Sequence, residues 1–157
     1  MIYIEKATLK DFEIIAEMMI KLDLKHIIKR KEFKKIDKKE RFFFYLKNFK
    51  EGRYIISVAK DSLTDSIVGI CVGIVSIIKD NLYFVDTKIG KILYTYIKEE
   101  YRKKSIASEL LKHIEDIYKS LSIEKIELQV YSFNIECLHK PLSQGYTEKI
   151  IIYEKSI

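Results

Sequence analysis

The sequence predicts one α/β (α+β) domain: a mixed, mostly antiparallel sheet of about six or seven strands flanked by about four helices. Three observations carry this reading. The 157 residues suit a single core, and no repeat, low-complexity tract or linker divides them. Strand-like and helix-like patterns follow one another as β-α-α-β-β-β-α-β-α-β, hairpins first and a helical crossover later. Finally, Lys91–Leu121 reads as a strand, a basic turn and a helix in direct succession.

Taken in order, Ile2–Lys6 alternates apolar and charged residues and reads as a short strand. Thr8, with Asp11 three residues on, resembles a capping arrangement for a helix that buries Phe12, Ile15, Met18, Met19 and Leu22. Asp23–Arg41 is mostly charged, with Ile27, Ile28, Phe33 and Ile36 as isolated apolar points, and reads as a loop or a short helix. Asp37 is placed to cap a second helix, Lys38–Phe49. Phe42, Phe43, Phe44 and Tyr45 cannot all face one core, so some of these rings line a core edge, a pocket or an interface. Arg53–Lys60 and Ile67–Ile78 form a hairpin across the turn-rich Asp61–Ser66. Gly69 and Gly73 mark bulges or the close approach of another backbone. Lys79–Gly90 is a connector holding a short strand at Leu82–Val85. After Lys91–Leu121 come a strand at Ile123–Tyr131, a helix or loop at Ser132–Gly145 interrupted by Pro141, and a last strand at Thr147–Glu154.

Within Lys91–Leu121, Ile92–Ile97 is β-branched and aromatic, and Lys98–Lys104 is charged. Ile106, Leu110, Leu111, Ile114, Tyr118 and Leu121 then recur at helical spacing on one face. The first amides of a helix lack intrahelical partners and carry the positive end of its dipole. Arg102, Lys103 and Lys104 add charge just before them, and Ser105 and Ala107 are small enough for a ligand to reach the backbone. This is chemistry suited to a phosphate or pyrophosphate.

Composition bounds the rest. The chain is 48% hydrophobic and 33% charged, as expected of a globular protein. Cys71 and Cys137 offer neither a disulfide framework nor metal-ligand spacing, which favours a reducing, cytoplasmic setting. The N-terminus lacks the pattern of a signal peptide, and Ile67–Ile78 is too short to span a bilayer as a helix. The net charge of +6 is uneven: between Lys25 and Lys50, eleven Lys/Arg face Glu32, Asp37 and Glu40, a local +8, and the remainder sums to −2. That segment either attracts anionic partners or serves as a solvated face.

These motifs resemble the GNAT superfamily of N-acetyltransferases. Arg102-Lys103-Lys104-Ser105-Ile106-Ala107 is similar to the family's R/Q-x-x-G-x-G/A signature for acyl-CoA. Ile97–Tyr101 is similar to its lead-in, with Glu99 in place of proline, and Ser108–Leu111 to its small-x-Leu-Leu sequel. Asn134–Cys137 reads as the second signature, N-x-x-A, and Gly145–Tyr146 as the closing G-F/Y.

The resemblance implies acetyl-CoA as co-substrate and transfer of its acetyl group to a primary amine by direct attack in a ternary complex. Amides of Arg102, Lys103, Lys104, Ser105, Ile106, Ala107 and Ser108 would cradle the CoA pyrophosphate. The strand end at Tyr96–Ile97 would pair with the pantetheine arm, Asn134 would contact that arm, and an amide near Ile97 would stabilise the oxyanion. Dimers are common in the superfamily, and a homodimer is carried here by that analogy alone. The charge of Lys25–Lys50 disfavours a cationic acceptor and points to an amine that also bears anionic groups, or to an acidic peptide.

Two departures stand out. Ser105 replaces the signature's first glycine, which is harmless at negative φ and strained at positive φ. Pro141 stands where many members place the tyrosine that protonates the departing thiolate, and proline cannot do so. His139, Tyr131 and Tyr146 are the nearby acids, each with a structural role as its alternative; Asp86 and Glu99 are candidates for a base acting through water, and neither is assigned that role. Cys137 fills a small apolar position and is set aside as a nucleophile. The catalytic residues therefore stay unassigned. The alternatives to an enzyme are a non-catalytic acyl-CoA-binding or sensor domain and, less supported by motif, a nucleic-acid-binding module.

Overall fold

A computed structural model describes residues 1–35 and 37–155; Ile36 lies outside them, as does the side chain of Glu136. Five strands form one sheet in the order β1 (Ile2–Lys6), β2 (Ile55–Asp61), β3 (Ile67–Ile78), β4 (Thr87–Ile97) and β5 (Lys125–Leu128). The first four are antiparallel neighbours, and β5 runs parallel to β4. The connection from β4 to β5 is the helix α3 (Ile106–Ser120), as a parallel pair requires. Helices α1 (Phe12–Lys29) and α2 (Lys38–Lys50) cover one face, and α3 covers the other. Two single turns, α4 (Ile135–Leu138) and α5 (Lys140–Ser143), follow β5.

The periodicities explain the layers. Ile15, Met19 and Tyr45 from α1 and α2 meet Ile56, Ile70 and Val72 from the sheet. Ile106, Leu110, Ile114 and Tyr118 of α3 meet Ala59, Val68 and Cys71 on the opposite face. Leu121, the last residue of the expected stripe, is 49% exposed, because α3 ends at Ser120. Gly73 and Gly90 make room for the Tyr118 ring: a Cβ at Gly73 would sit 2.1 Å from its hydroxyl. That hydroxyl lies 2.9 Å from the Ile74 carbonyl and 3.1 Å from that of Lys91. What approaches the sheet at Gly73 is thus chiefly a phenol rather than another backbone.

Local chemistry sets the helix starts. The Thr8 amide and hydroxyl both donate to Asp11 Oδ2 at 2.8 Å. The other Asp11 oxygen pairs with the buried Lys60 ammonium at 2.9 Å, which also reaches Glu5 at 2.7 Å. Burial works against the Asp11 charge, but the Thr8 amide, Lys60 and the Thr8 hydroxyl outweigh it and hold the carboxyl below its ordinary value. Asp37 caps α2 by accepting from the amides of Lys39 and Glu40 at 2.8 and 2.9 Å. Of the aromatic run, Tyr45 is buried, Phe42 packs against the core, and Phe43 and Phe44 are exposed.

The strand count falls short of the expected six or seven for identifiable reasons. At Leu82–Val85 the Asn81 side chain accepts from the amides of Tyr83 and Phe84, and Asp86 accepts from that of Asp80. Those amides serve a closed loop instead of a ladder. The strand expected at Ile123–Tyr131 shortens to Lys125–Leu128. Thr147–Glu154 is not a strand; it is tied by side-chain ion pairs, Lys149 to Glu127 and Glu154 to Arg30, and leaves Ile150–Tyr153 exposed. Conversely, α1 continues to Lys29 through residues read as loop or short helix, because Leu24 packs on the core and His26 meets Phe33, Tyr131 and Phe133.

Candidate active site

The site is built on the parting of β4 and β5. The two strands are in register from Ile89–Lys125 to Ile92–Leu128 and no further. Val72 pairs with Tyr94 and Gly73 with Ile92, so Leu93 is an extra residue, a β-bulge, at the point of parting. Beyond it β4 keeps its ladder with β3, while its other edge meets no strand among the described residues. The Lys98 amide donates to Val68 at 2.9 Å, so Ile97, one residue back, directs its N–H and C=O to the open edge. The Ile97 carbonyl accepts from Arg102 Nε at 3.2 Å.

A 3-10 turn, Glu99–Tyr101, leads from β4 toward α3. It is pinned by the Tyr101 hydroxyl, which donates to Asp61 at 3.1 Å, and Lys104 lies 5.2 Å over the Tyr101 ring. Lys103 and Ser105 both hold left-handed backbone, at φ 63° and 59°. Ser105 is thus in the strained alternative left open by the sequence. The left-handed turns fold the chain tightly before α3, whose first bonded amide is that of Glu109, donating to Ser105 at 3.1 Å. The six amides from Lys103 to Ser108 find no acceptor among the described residues. Arg102, Lys103, Lys104, Ser105 and Ser108 are exposed, so the amides face solvent beside three cations.

The remaining expected residues divide. Ile106 is buried, so it can offer a ligand its amide and not its side chain. Tyr96 packs toward the α1–α2 face. Asn134 precedes α4 with an exposed side chain. Gln144, at the end of α5, donates to the Ser108 hydroxyl at 2.8 Å and ties the segment after β5 to the start of α3. Among the described residues, no group of three or more His, Cys, Asp or Glu could hold a metal, and no helix is long and apolar enough to cross a membrane.

Residues 22–140 match the profile of the acetyltransferase (GNAT) family. The chain belongs to this family. Solved structures share the GNAT fold along nearly its whole length. A tetramutant of the BH1408 protein from Bacillus halodurans is 18% identical, with a TM-score of 0.85 and 99% of each chain covered. A predicted acetyltransferase from Clostridium acetobutylicum, crystallised with acetyl-CoA, is 17% identical with a TM-score of 0.73, covering 99% of this chain and 96% of its own. Glucosamine-6-phosphate N-acetyltransferase from Arabidopsis thaliana is 16% identical with a TM-score of 0.71, covering 99% and 98%. A comparison with curated proteins gives no match.

The candidate acids and bases of this GNAT chain are mostly committed elsewhere. Tyr146 donates to Glu115 at 2.9 Å, and burial followed by that bond pushes its pKa up. Tyr131 stacks on Phe133 with centroids 5.3 Å apart. Glu99 lies 3.5 Å from Arg102, Asp86 closes its loop, and His139 is an exposed residue between α4 and α5. Pro141 sits in the first turn of α5, where its missing N–H costs nothing.

One cluster was not read from the sequence. Asp23 of α1, Tyr45 of α2 and Tyr94 of β4 converge on the α1–α2 face. Tyr45 donates to Asp23 Oδ2, Tyr94 donates to Oδ1 at 3.2 Å, and the hydroxyls lie 3.1 Å apart. Burial, then contact with Asp23, pushes the Tyr45 pKa up; burial is also the main cause at Tyr94 and at Tyr54, which rises to about 12. A signal was present: Asp23 follows Ile15 and Met19 at helical spacing, an acid on the stripe that should be apolar.

Proposed function

We propose that this protein is an acetyl-CoA-dependent N-acetyltransferase whose acceptor is a primary amine that also carries anionic groups, attacking directly in a ternary complex. The observation that carries this is the set of solvent-facing amides from Lys103 to Ser108, beside Arg102, Lys103 and Lys104, at the end of a strand with one open edge. This donor set fits a diphosphate. Bound acetyl-CoA supplies the activated acetyl thioester. The chain's own residues then bind and orient: Arg102–Ser108 hold the diphosphate, Tyr96 and Ile97 offer the strand edge to the pantetheine arm, and Asn134 contacts that arm. The Ile97 N–H, directed to the open edge, is the donor assigned to the developing oxyanion.

Charge supports the acceptor class. Lys29, Lys31, Lys34 and Lys35 have no acid within ion-pair distance among the described residues. They border two clefts of about 350 and 180 Å³ beside α1 and α2. The Arabidopsis enzyme of the same fold is named for glucosamine 6-phosphate, an amine bearing a phosphate. The break at His139 and Pro141 favours a second reading, an acyl-CoA-binding domain without turnover.

Calorimetric titration of acetyl-CoA, with thiol release measured over amino acids, acidic peptides and phosphorylated amino sugars, tests both. Saturable binding with turnover of an anionic amine, weakened by salt, is expected. Binding without turnover selects the second reading, and absence of binding refutes both. Reversing charge in Lys29–Lys39 should raise KM for an anionic amine and leave a neutral one unaffected.

A further inference from the structure

The sheet parts one residue before Tyr94, and Tyr94 reaches Asp23 on the face covered by α1 and α2. Asp23 therefore lies on the α1–α2 side of the opening, one tyrosine length from β4, the side of the two clefts to which the reading above assigns the acceptor. Its carboxylate accepts from two phenols, Tyr45 at Oδ2 and Tyr94 at Oδ1, which leaves lone pairs for a further donor. Arg41 Nε forms a long ion pair with Oδ2 at 3.9 Å, beyond hydrogen-bond reach. The Asp23 side chain is 14% exposed, so it is not sealed from solvent. A carboxylate fixed by two phenols and open on one side is built to receive a cationic donor.

We propose that Asp23 binds the ammonium group of the acceptor and takes its proton, with Tyr45 and Tyr94 as positioning residues. This rests on the transferase reading above. An N–H bond of the ammonium breaks and its proton moves to an Asp23 oxygen. The nitrogen keeps the electron pair and becomes the neutral amine that acyl transfer requires, and the carboxylic acid returns the proton to water after turnover. The groups facing Asp23 are Arg41 and Tyr45 from α2 and Tyr94 from β4, with the Tyr54 ring 6.4 Å from that of Tyr45. The same arrangement reconciles an ammonium with the basic surroundings. Arg41 also lines the cleft shared with Lys34, Lys35, Asp37, Glu40 and Phe44, where three cations outnumber two carboxylates, so an acceptor with its amine on Asp23 can direct its anionic part toward those cations.

The test uses the full-length protein, acetyl-CoA and the best amine from the panel above. Asp23→Asn should lower kcat/KM by at least about 100-fold and flatten the acidic limb of its pH profile. Acetyl-CoA affinity by titration should stay within about twofold, since the diphosphate cradle is remote. Tyr94→Phe removes one donor to the carboxylate and should lower kcat about tenfold with acetyl-CoA affinity unchanged, a split that loss of packing alone does not produce. Asp23→Asn that keeps wild-type kcat/KM and an unchanged limb overturns the proposal. If Asp23→Asn does not fold, an unchanged kcat in Tyr94→Phe overturns it equally. Wild-type protein without turnover on any amine overturns the transferase reading itself, which separates the two failures.

Discussion

Ser105→Gly probes the cradle through its backbone. Ser105 sits at φ 59° and ψ 3°, with no capping bond from its side chain. That conformation costs a residue with a Cβ about 1–2 kcal/mol. Glycine removes this cost but returns about 0.5–1 kcal/mol through the greater freedom of the unfolded chain. The net gain is about 0.5–1 kcal/mol. At about 2.1 cal/mol/K per residue, the 157-residue chain has an unfolding entropy of about 0.33 kcal/mol/K, so the midpoint should rise by about 1.5–3 °C. Scanning calorimetry without ligand measures this. Lys112→Gly, at an exposed position inside α3, is the control and should lower the midpoint by about 3 °C. Ser105→Val, β-branched in left-handed backbone, should lower it further. A fall for Ser105→Gly comparable with the helical control would refute the left-handed geometry and the tight turn that presents the amides.

Other perturbations give separable outcomes. Lys103→Glu with Lys104→Glu should weaken acetyl-CoA at least about tenfold at low ionic strength, the gap narrowing in 0.5 M salt; equal affinities by titration would remove these lysines from the site. Gly73→Ala places a methyl 2.1 Å from the Tyr118 hydroxyl and 3.0 Å from the Lys91 carbonyl, so denaturant melts should show a loss of about 2 kcal/mol or more, whereas Tyr118→Phe should lose only about 1 kcal/mol. Asp11→Asn leaves Lys60 with Glu5 alone and should cost on the order of 3 kcal/mol at pH 7. Because the folded-state pKa of Asp11 is lowered from 3.8, its contribution is complete above that value and is lost as pH falls through the lower folded-state value. Wild type and variant should therefore converge in stability as pH falls through that lowered value, and a gap constant with pH would show that the carboxylate charge is not what stabilises the pair.

Much of this was legible in local pattern. Residues 106 to 118 announce α3 because one face must be apolar at helical spacing, and Asp37 announces the start of α2 because its side chain can bond the next free amides. Arg102, Lys103 and Lys104 before a helix start announce cations beside free amides for the same elementary reason. What stayed hidden depends on partners distant in sequence. Ile150–Tyr153 has strand composition, but a ladder needs a neighbour in register, and β5 spans only Lys125–Leu128. The sign of φ at Ser105 is set by how β4 and α3 are placed, which local sequence does not state. Asp23, Tyr45 and Tyr94 come from three elements, and only the fold joins them.

Leu93 has an effect beyond its own position. Inserting one residue into a strand changes the phase of every side chain after it. Before the bulge, Gly90 and Ile92 face α3; after it, Thr95 and Ile97 take that side, and Tyr94 and Tyr96 are turned toward α1 and α2. A single strand thus supplies core residues to one layer with its first half and phenols to the other layer with its second. Were Leu93 paired in regular alternation instead of bulged, those roles would be exchanged. Tyr94 would then point at α3, Asp23 would lose one of its two donors, and Ile97 would turn its backbone away from the open edge.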